Sequence, residues 1–481
     1  MLKTTLIAAA LTAAAVIPAA AQTAYDVAAP APAGFDRAAV GRSTLAHLQN
    51  LIRLNTQNPP GNEAITAAYF DSVFRRVPGV ETHVLPADSG RANFMARLRA
   101  ARPTRKPVLI LGHMDVVGAD TAKWDTDPFV PTLRDGYLYG RGAIDDKGML
   151  AAALVAMQEL ARDRASMTRD IIFLATAAEE GGPPVGIDRV VERHRALLGD
   201  AEFALNEGGR VRVDGGRVRT VNIQTTEKVY YNVVATATGP SGHGSVPLPD
   251  NALAALARAV QRVHAWRPPA RLIETTRIYF QRLATIESDA ELRRAMQVLT
   301  APGASRAAID GAAAILSRDP LHNAVLRTGA SLTLLDGGFR ANVIPSEGKA
   351  TFNVRIVPGE DITAIVAEMN RVAAEPSVKF ALEGEPRAAP PPSPVATDLF
   401  RAMETSARAM APGAVILPFM STGATDGAVL RQAGIPTYGI LPMPLPMEDE
   451  LRMHGDNERV PVAALGWATE YLYRVLRAVA R

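Results

Sequence analysis

His113, Asp145, the adjacent Glu179 and Glu180, Glu207 and His454 form an ordered series of ligand-type side chains. Most of them follow short apolar runs that read as strand ends. A protein gains little by gathering one imidazole and several carboxylates at strand tips, because unpaired like charges repel. A pair of divalent cations removes that penalty and turns such a cluster into a hydrolytic centre.

The local contexts differ. Leu109-Ile110-Leu111-Gly112-His113-Met114-Asp115 reads as a strand running into an HxD turn. Neutral imidazole is a good zinc ligand, and a carboxylate two residues on can accept its second N–H. Gly140 to Gly148 is a glycine-rich turn between strand and helix, where a carboxylate can hold a cation on each oxygen. Spacing alone does not choose between Asp145 and Asp146. Glu179 and Glu180 follow a strand expected over Ile171–Ala175; their side chains diverge, so one can bind metal while the other reaches a water. Glu207 lies beyond another apolar run, and His454 in a polar loop before the terminal helix. Singly, each is an ordinary polar residue; jointly they make a ligand set.

The elements that must position these residues alternate. A helix is expected over Ala39–Arg53, strands over Val108–Leu111, Ile171–Ala175 and Phe203–Leu205, and an amphipathic helix over Met149–Leu160. Together they predict an α/β fold with a mainly parallel sheet. The middle of the chain reads as βαββαβ: Val229–Thr238, Ala252–Trp266, Ser331–Leu335, Ala350–Val357, Ile362–Ala373 and Val378–Glu383. That order is a ferredoxin-like α+β unit. Leu272 to Asn323 is additional, mostly helical and without an assigned position. After a proline-rich stretch, Pro386 to Pro394, the α/β pattern resumes with Val415–Leu417, Thr437–Leu441 and a helix from Pro461. The expected division is a signal peptide over 1–21, a first catalytic part over 35–226, an inserted domain over 227–385, and a second catalytic part over 386–481.

Bulk composition narrows the classes. The chain has 481 residues, 48% of them hydrophobic and 21% charged, and a net charge of +3. No basic stripe with interleaved aromatics suggests nucleic acid. The absence of cysteine excludes disulfides and thiol catalysis. Lys3, the apolar run Leu6 to Ile17 and Ala19-Ala20-Ala21 have the form of a secretory signal cleaved near Ala21. No other segment resembles a stable membrane span. The expectation is a secreted protein, periplasmic in a Gram-negative cell.

At this point the chain resembles the M20 family of metallopeptidases over almost all of its mature length. The matching motifs are Gly112-His113-Met114-Asp115-Val116-Val117, Trp124 with Pro128-Phe129, Gly140 to Gly148, Glu179-Glu180-Gly181-Gly182 and Asn206-Glu207-Gly208-Gly209. They continue with Gly239 to Ser245, Asn342-Val343-Ile344-Pro345 and His454. The Asn206-Glu207 pair is similar to the DEGG form of the carboxypeptidase S and aminoacylase-like branch, with asparagine where aspartate is usual.

The resemblance implies a di-zinc hydrolase domain carrying an inserted lid or dimerisation domain. It implies that His113 and Glu207 hold one zinc, Glu180 and His454 the other, and that Asp145 bridges them; Co2+ or Mn2+ are substitutes. Asp115 would orient His113, and Glu179 would be the general base. His243, from the inserted domain, would stabilise the oxyanion, in cis or from the partner of a homodimer. Arg355, helped by Asn342, would grip the substrate carboxylate, and Gly423 would offer backbone contacts. The expected reaction is zinc-dependent cleavage of a short peptide by a carboxypeptidase or dipeptidase. An N-acyl-amino-acid amidohydrolase is the alternative, and a non-catalytic periplasmic binding protein a third reading.

Overall fold

The computed structural model describes residues 25–88 and 90–481. The signal-like segment 1–21 lies outside the described residues. An eight-stranded sheet runs in the order Val415–Ser421, Arg217–Glu227, Thr437–Pro446, Phe203–Asp214, Val108–His113, Ile171–Thr176, Ala92–Leu98, Val80–Pro86. Its centre is parallel, from Thr437–Pro446 through Phe203–Asp214 and Val108–His113 to Ile171–Thr176. Val108–His113 and Ile171–Thr176 are buried at every position, as strands with helices on both faces require.

Alternation divides those strands between two cores. Ile110, Ile171 and Phe173 face a cluster built with the helices Arg37–Arg53, Lys147–Asp163 and Val462–Ala480. Leu109, Leu111, Ile172 and Leu174 face Ile187, Val190 and Leu430 on the other side. Two of the expected helices, Arg37–Arg53 and Lys147–Asp163, are longer than their apolar periodicity: the first begins where the Asp36 carboxylate accepts from the Ala38 and Ala39 N–H groups, each at 3.0 Å.

Beyond Glu227 the chain builds a second, antiparallel sheet in the order Gly329–Gly337, Glu347–Ile356, Val229–Thr238, Val378–Leu382. Helices Ala252–Ala265 and Ile362–Ala373 supply Leu256, Val263 and Met369 to its own core, with Val233, Phe352 and Phe380. The βαββαβ order expected from sequence is present. The segment left unassigned forms four helices, Glu274–Leu283, Ala290–Thr300, Arg306–Leu316 and Pro320–Leu326. Their apolar faces pack on Leu417, Phe419 and Met420 of the large sheet's edge strand. Arg282 donates to the Ile416 carbonyl at 2.8 Å. The segment therefore shields an open edge of the large sheet. Among the described residues, no helix is long and apolar enough to cross a membrane.

Candidate active site

The C-terminal ends of the parallel strands and the loops beyond them bring the ligand series together. His113, the last residue of its strand, places Nε2 2.9 Å from one Asp145 carboxylate oxygen. His454 places Nε2 3.2 Å from the other Asp145 oxygen and 3.1 Å from Glu180 Oε1. Asp145 thus turns its two oxygens toward two different imidazoles. His113, Asp145 and Glu180 offer ligand atoms all within 4.8 Å of one another.

Asp145 takes this position because Asp146 is sequestered. A Cβ on Gly112 would collide with the Asp146 carboxylate, so only glycine allows that buried side chain to sit against the strand. Among the described residues neither Asp146 oxygen has a well-formed hydrogen-bond partner, and burial pushes its carboxyl well above the usual range although the charge and backbone N–H of His113 oppose the rise. The Asp145 loop is fixed by Glu458, 1% exposed. One Glu458 oxygen accepts from Arg141 Nη1 at 2.7 Å and the Gly142 N–H at 3.0 Å. The other accepts from the Ile144 and Asp145 N–H groups at 2.7 and 3.2 Å. Arg141 also donates to the Gly455 carbonyl at 2.8 Å, tying the same loop to the turn that carries His454.

Glu207 does not end its strand, contrary to the simplest reading of the apolar run. Phe203–Asp214 runs on past it, paired with Arg217–Glu227. A register break between Gly439 and Leu441, opposite Asn206 and Arg210, bulges Glu207-Gly208-Gly209 out of the ladder. Gly209 is required there: a Cβ would strike the Asn222 and Gly439 carbonyls. The bulge lets Glu207 line the cavity.

Asp115 does more than orient His113. His113 Nδ1 lies 3.0 Å from the Asp115 main-chain oxygen and 3.7 Å from its carboxylate. The carboxylate accepts from the Glu179 N–H at 3.1 Å, the Glu180 N–H at 3.0 Å and Asn58 Nδ2 at 2.8 Å. It therefore holds the two glutamates' backbone, and Asn58 adds a bond to the Gly181 carbonyl at 2.7 Å.

These groups strain one another electrostatically. Burial and then Asp145 push the Glu207 carboxyl up to about 8. Burial also raises Glu179, an effect His113 opposes and Glu207 and Asp426 reinforce. Hydrogen bonds to Asp145 and Glu180 raise His454 to about 10. Asp145 stays ionised because His113 and His454 outweigh its burial. Buried carboxylates this close ionise together only beside positive charge. Two imidazoles and several carboxylates form a mixed nitrogen and oxygen donor set that suits zinc, cobalt or manganese. The residues present fit the metals.

Asp145, Glu179, Glu180, Glu207 and His454 open on a cavity of about 850 Å³. Gly423 lines it, with its N–H given to Ser421 Oγ at 3.1 Å. Arg355 lines it from the second sheet, in cross-strand register with Tyr230. His243 and Asn342 do not line it. They lie together on the short ladder of Gly242–His243 with Val343–Ile344, where the Asn342 carbonyl accepts from the Gly244 N–H at 2.8 Å. His243 is exposed there, its Nδ1 2.7 Å from Ser245 Oγ.

Several contributors carried no sequence signal of their own. Asp426, which faces the cavity, accepts from Thr176 Oγ1 at 2.6 Å and is pushed up to about 7 by burial. Tyr230 and Arg387 line the same wall as Arg355. Glu458 and Asn58 read as ordinary loop polars. The motif around Ser421 to Asp426 was the available hint for Asp426.

Residues 109–478 match peptidase family M20/M25/M40, and the chain belongs to this family. It is 28% identical over 382 residues to the probable carboxypeptidase S-like 2 of Dictyostelium discoideum, covering 77% of this chain and 71% of that one. It is 27% identical over 387 residues to the N-fatty-acyl-amino acid synthase/hydrolase PM20D1 of Homo sapiens, covering 79% and 75%. The M20 family metallo-carboxypeptidase Sso-CP2 from Sulfolobus solfataricus shares the fold, with a TM-score of 0.66 at 19% identity over 90% of this chain and 98% of that one. The chain is an enzyme of M20 type, a peptidase or amidohydrolase.

Proposed function

We propose that this enzyme is a zinc-dependent exopeptidase that releases an amino acid from a short peptide. The observation that carries this reading is the Asp145 carboxylate, with one oxygen toward His113 and the other toward His454 and Glu180, beside Glu179 in one cavity. His113 and Glu207 would hold one cation, Glu180 and His454 the other, with Asp145 shared. Bound there, two cations would polarise the scissile carbonyl and acidify a water. Glu179 takes the proton of the attacking water on its carboxylate and delivers it to the leaving amine. Asp115, through the Glu179 N–H, keeps that carboxylate in place. Arg355 receives the substrate carboxylate on its guanidinium fork, and Gly423 lies along the substrate's path.

His243 and Asn342 would act from a partner subunit, the second sheet serving as both lid and dimer surface. The support is an edge strand, Gly329–Gly337, that no described residue covers along its apolar positions, with Leu334 65% and Leu335 68% exposed and Phe339 77% exposed beside it. Mixing His243→Ala subunits with Glu179→Gln subunits tests this: activity regained in the mixture supports the trans arrangement, and its absence refutes it. Export is proposed on the N-terminal sequence alone; cell fractionation with N-terminal sequencing of the mature chain tests it.

Chelation should abolish turnover, and zinc or cobalt should restore it. Hydrolysis that survives complete metal removal would refute the reading. The N-acyl-amino-acid amidohydrolase remains a second reading, favoured by Pro183, Pro184, Ala428, Val429 and Met453, which contribute apolar surface to the cavity lining. Dipeptides assayed against N-acetyl and long-chain acyl amino acids separate the two.

A further inference from the structure

The cavity wall beside Tyr230 carries two guanidiniums, one from the second sheet and one from the segment after it, and the proposed function uses one. Tyr230 and Arg355 are directly opposed across neighbouring strands, with Arg355 Cζ 5.2 Å from the Tyr230 ring centre. Arg387 comes from the segment that returns from the second sheet toward the large one, and its Cζ lies 4.9 Å from the same ring centre and 5.4 Å from that of Tyr231. Its backbone is pinned on both sides: Tyr231 Oη donates to the Arg387 carbonyl at 2.8 Å and lies 3.1 Å from its N–H. Its guanidinium donates once, to the Tyr230 carbonyl at 2.7 Å. Arg355 donates to Asn353 Oδ1 at 2.8 Å and the Thr422 carbonyl at 3.3 Å. Among the described residues, neither arginine has a carboxylate partner.

Each guanidinium has five N–H donors and matches a carboxylate with two of them. One α-carboxylate satisfies the fork of Arg355. The fork of Arg387 then stands in the same cavity, beside the Tyr230 and Tyr231 rings and tied to one backbone carbonyl, with most of its donors uncommitted among the described residues. Arg210, the third arginine on the cavity, is occupied by the Gly208 and Gly209 carbonyls at 2.8 and 3.0 Å. Both guanidinium carbons lie within 5.2 Å of the Tyr230 ring centre, and both side chains line the one cavity, where the two carboxylates of a single amino acid could each meet a fork.

We propose that Arg387 is a specificity residue that selects substrates whose leaving amino acid carries a second carboxylate, an aspartyl or glutamyl residue. The inference rests on the reading of this cavity as the hydrolytic site with Arg355 on the α-carboxylate. The bond to the Tyr230 carbonyl and the contacts with the Tyr230 and Tyr231 rings restrain the planar fork, so less freedom is lost when the side-chain carboxylate docks. The neutral isosteres, glutamine and asparagine, leave those donors without an anion.

The test compares N-acetyl-glutamate with N-acetyl-glutamine, and N-acetyl-aspartate with N-acetyl-asparagine, on zinc-loaded wild-type, Arg387→Gln and Arg387→Lys enzyme. The same preparations are titrated calorimetrically with free glutamate and glutamine, a readout independent of turnover. Expected is a wild-type preference for the acidic member of at least tenfold in kcat/KM or in Kd. In Arg387→Gln that preference falls below about twofold, and Arg387→Lys retains part of it. Equal treatment of each pair by the wild type, or a preference that survives in Arg387→Gln, overturns the proposal. If Arg387 only fastens the chain, its replacement lowers both members alike and leaves their ratio intact, which also overturns it. Binding preference without turnover of any substrate upholds Arg387 and instead counts against the hydrolytic reading.

Discussion

Replacing Glu458 with glutamine should both destabilise the fold and weaken metal binding, because one carboxylate organises the loop that carries Asp145. The carboxylate accepts four donors, two on each oxygen. Glutamine keeps one acceptor and presents an NH2 group in place of the other. In one orientation Arg141 and the Gly142 N–H face that NH2; in the other, the Ile144 and Asp145 N–H groups do. Breaking a buried ion pair from one side costs about 3–5 kcal/mol, and no screening discount applies when the two side chains are 2% and 1% exposed. Burial raises the Glu458 carboxyl despite Arg141, so desolvation already consumes part of the pair's worth. Arg141 also keeps its bond to the Gly455 carbonyl. Both considerations favour the lower end, about 3 kcal/mol. Loss of a partner behind a ligand typically lowers metal affinity by about 10–100-fold, and the Asp145 backbone bond is such a partner. Urea unfolding of the chelated protein reads the first quantity, and a chelator-buffered zinc titration reads the second. Glu81→Gln serves as the control, since its pair with Arg99 is 52% and 42% exposed and should change stability by less than about 1 kcal/mol. If Glu458→Gln falls within the control's range and binds zinc normally, the loop is held by something else and the reasoning is refuted.

Other expectations are more direct. Glu179→Gln should lower kcat by about 10²–10⁴-fold while metal analysis finds the wild-type zinc content; lost zinc would make Glu179 a ligand. His454→Ala should drop the bound metal from two ions to one, and unchanged stoichiometry would remove His454 from the ligand set. Arg355→Lys should raise KM at least tenfold for carboxylate-bearing substrates, because an ammonium cannot replace the planar fork; equal KM values would place the substrate carboxylate elsewhere. Gly209→Ala should lower Tm by several degrees and disturb metal binding, since its Cβ meets two carbonyls on neighbouring strands; a normal Tm would show that the bulge tolerates a side chain.

The strands and helices are legible because burial on both faces demands continuous apolar runs, as in Val108–His113, and one-sided burial demands helical spacing, as in Arg37–Arg53. The ligand series is legible because it recurs after such runs. What escapes is whatever depends on partners distant in sequence. Glu458 follows Asn457 in a polar stretch, and nothing local shows that four donors from Arg141 to Asp145 converge on it. The unassigned helices carry apolar faces, and those faces do not say which sheet edge they cover.

The choice between Asp145 and Asp146 shows where local reasoning stops. Two adjacent carboxylates have equal claims on a cation until their surroundings are known. The decision is made by Gly112, on the strand Val108–His113, whose missing side chain opens the space that takes Asp146 out of contact with the cavity. Asp145 is then left on the open side, where His113 and His454 converge on it. Its backbone is held by Glu458 from behind. A bridging ligand is thus defined as much by the residue that removes its rival as by its own chemistry. Gly112→Ala should therefore disrupt the centre with every ligand still present. An intact metal site in that variant would show that Asp145 is selected some other way.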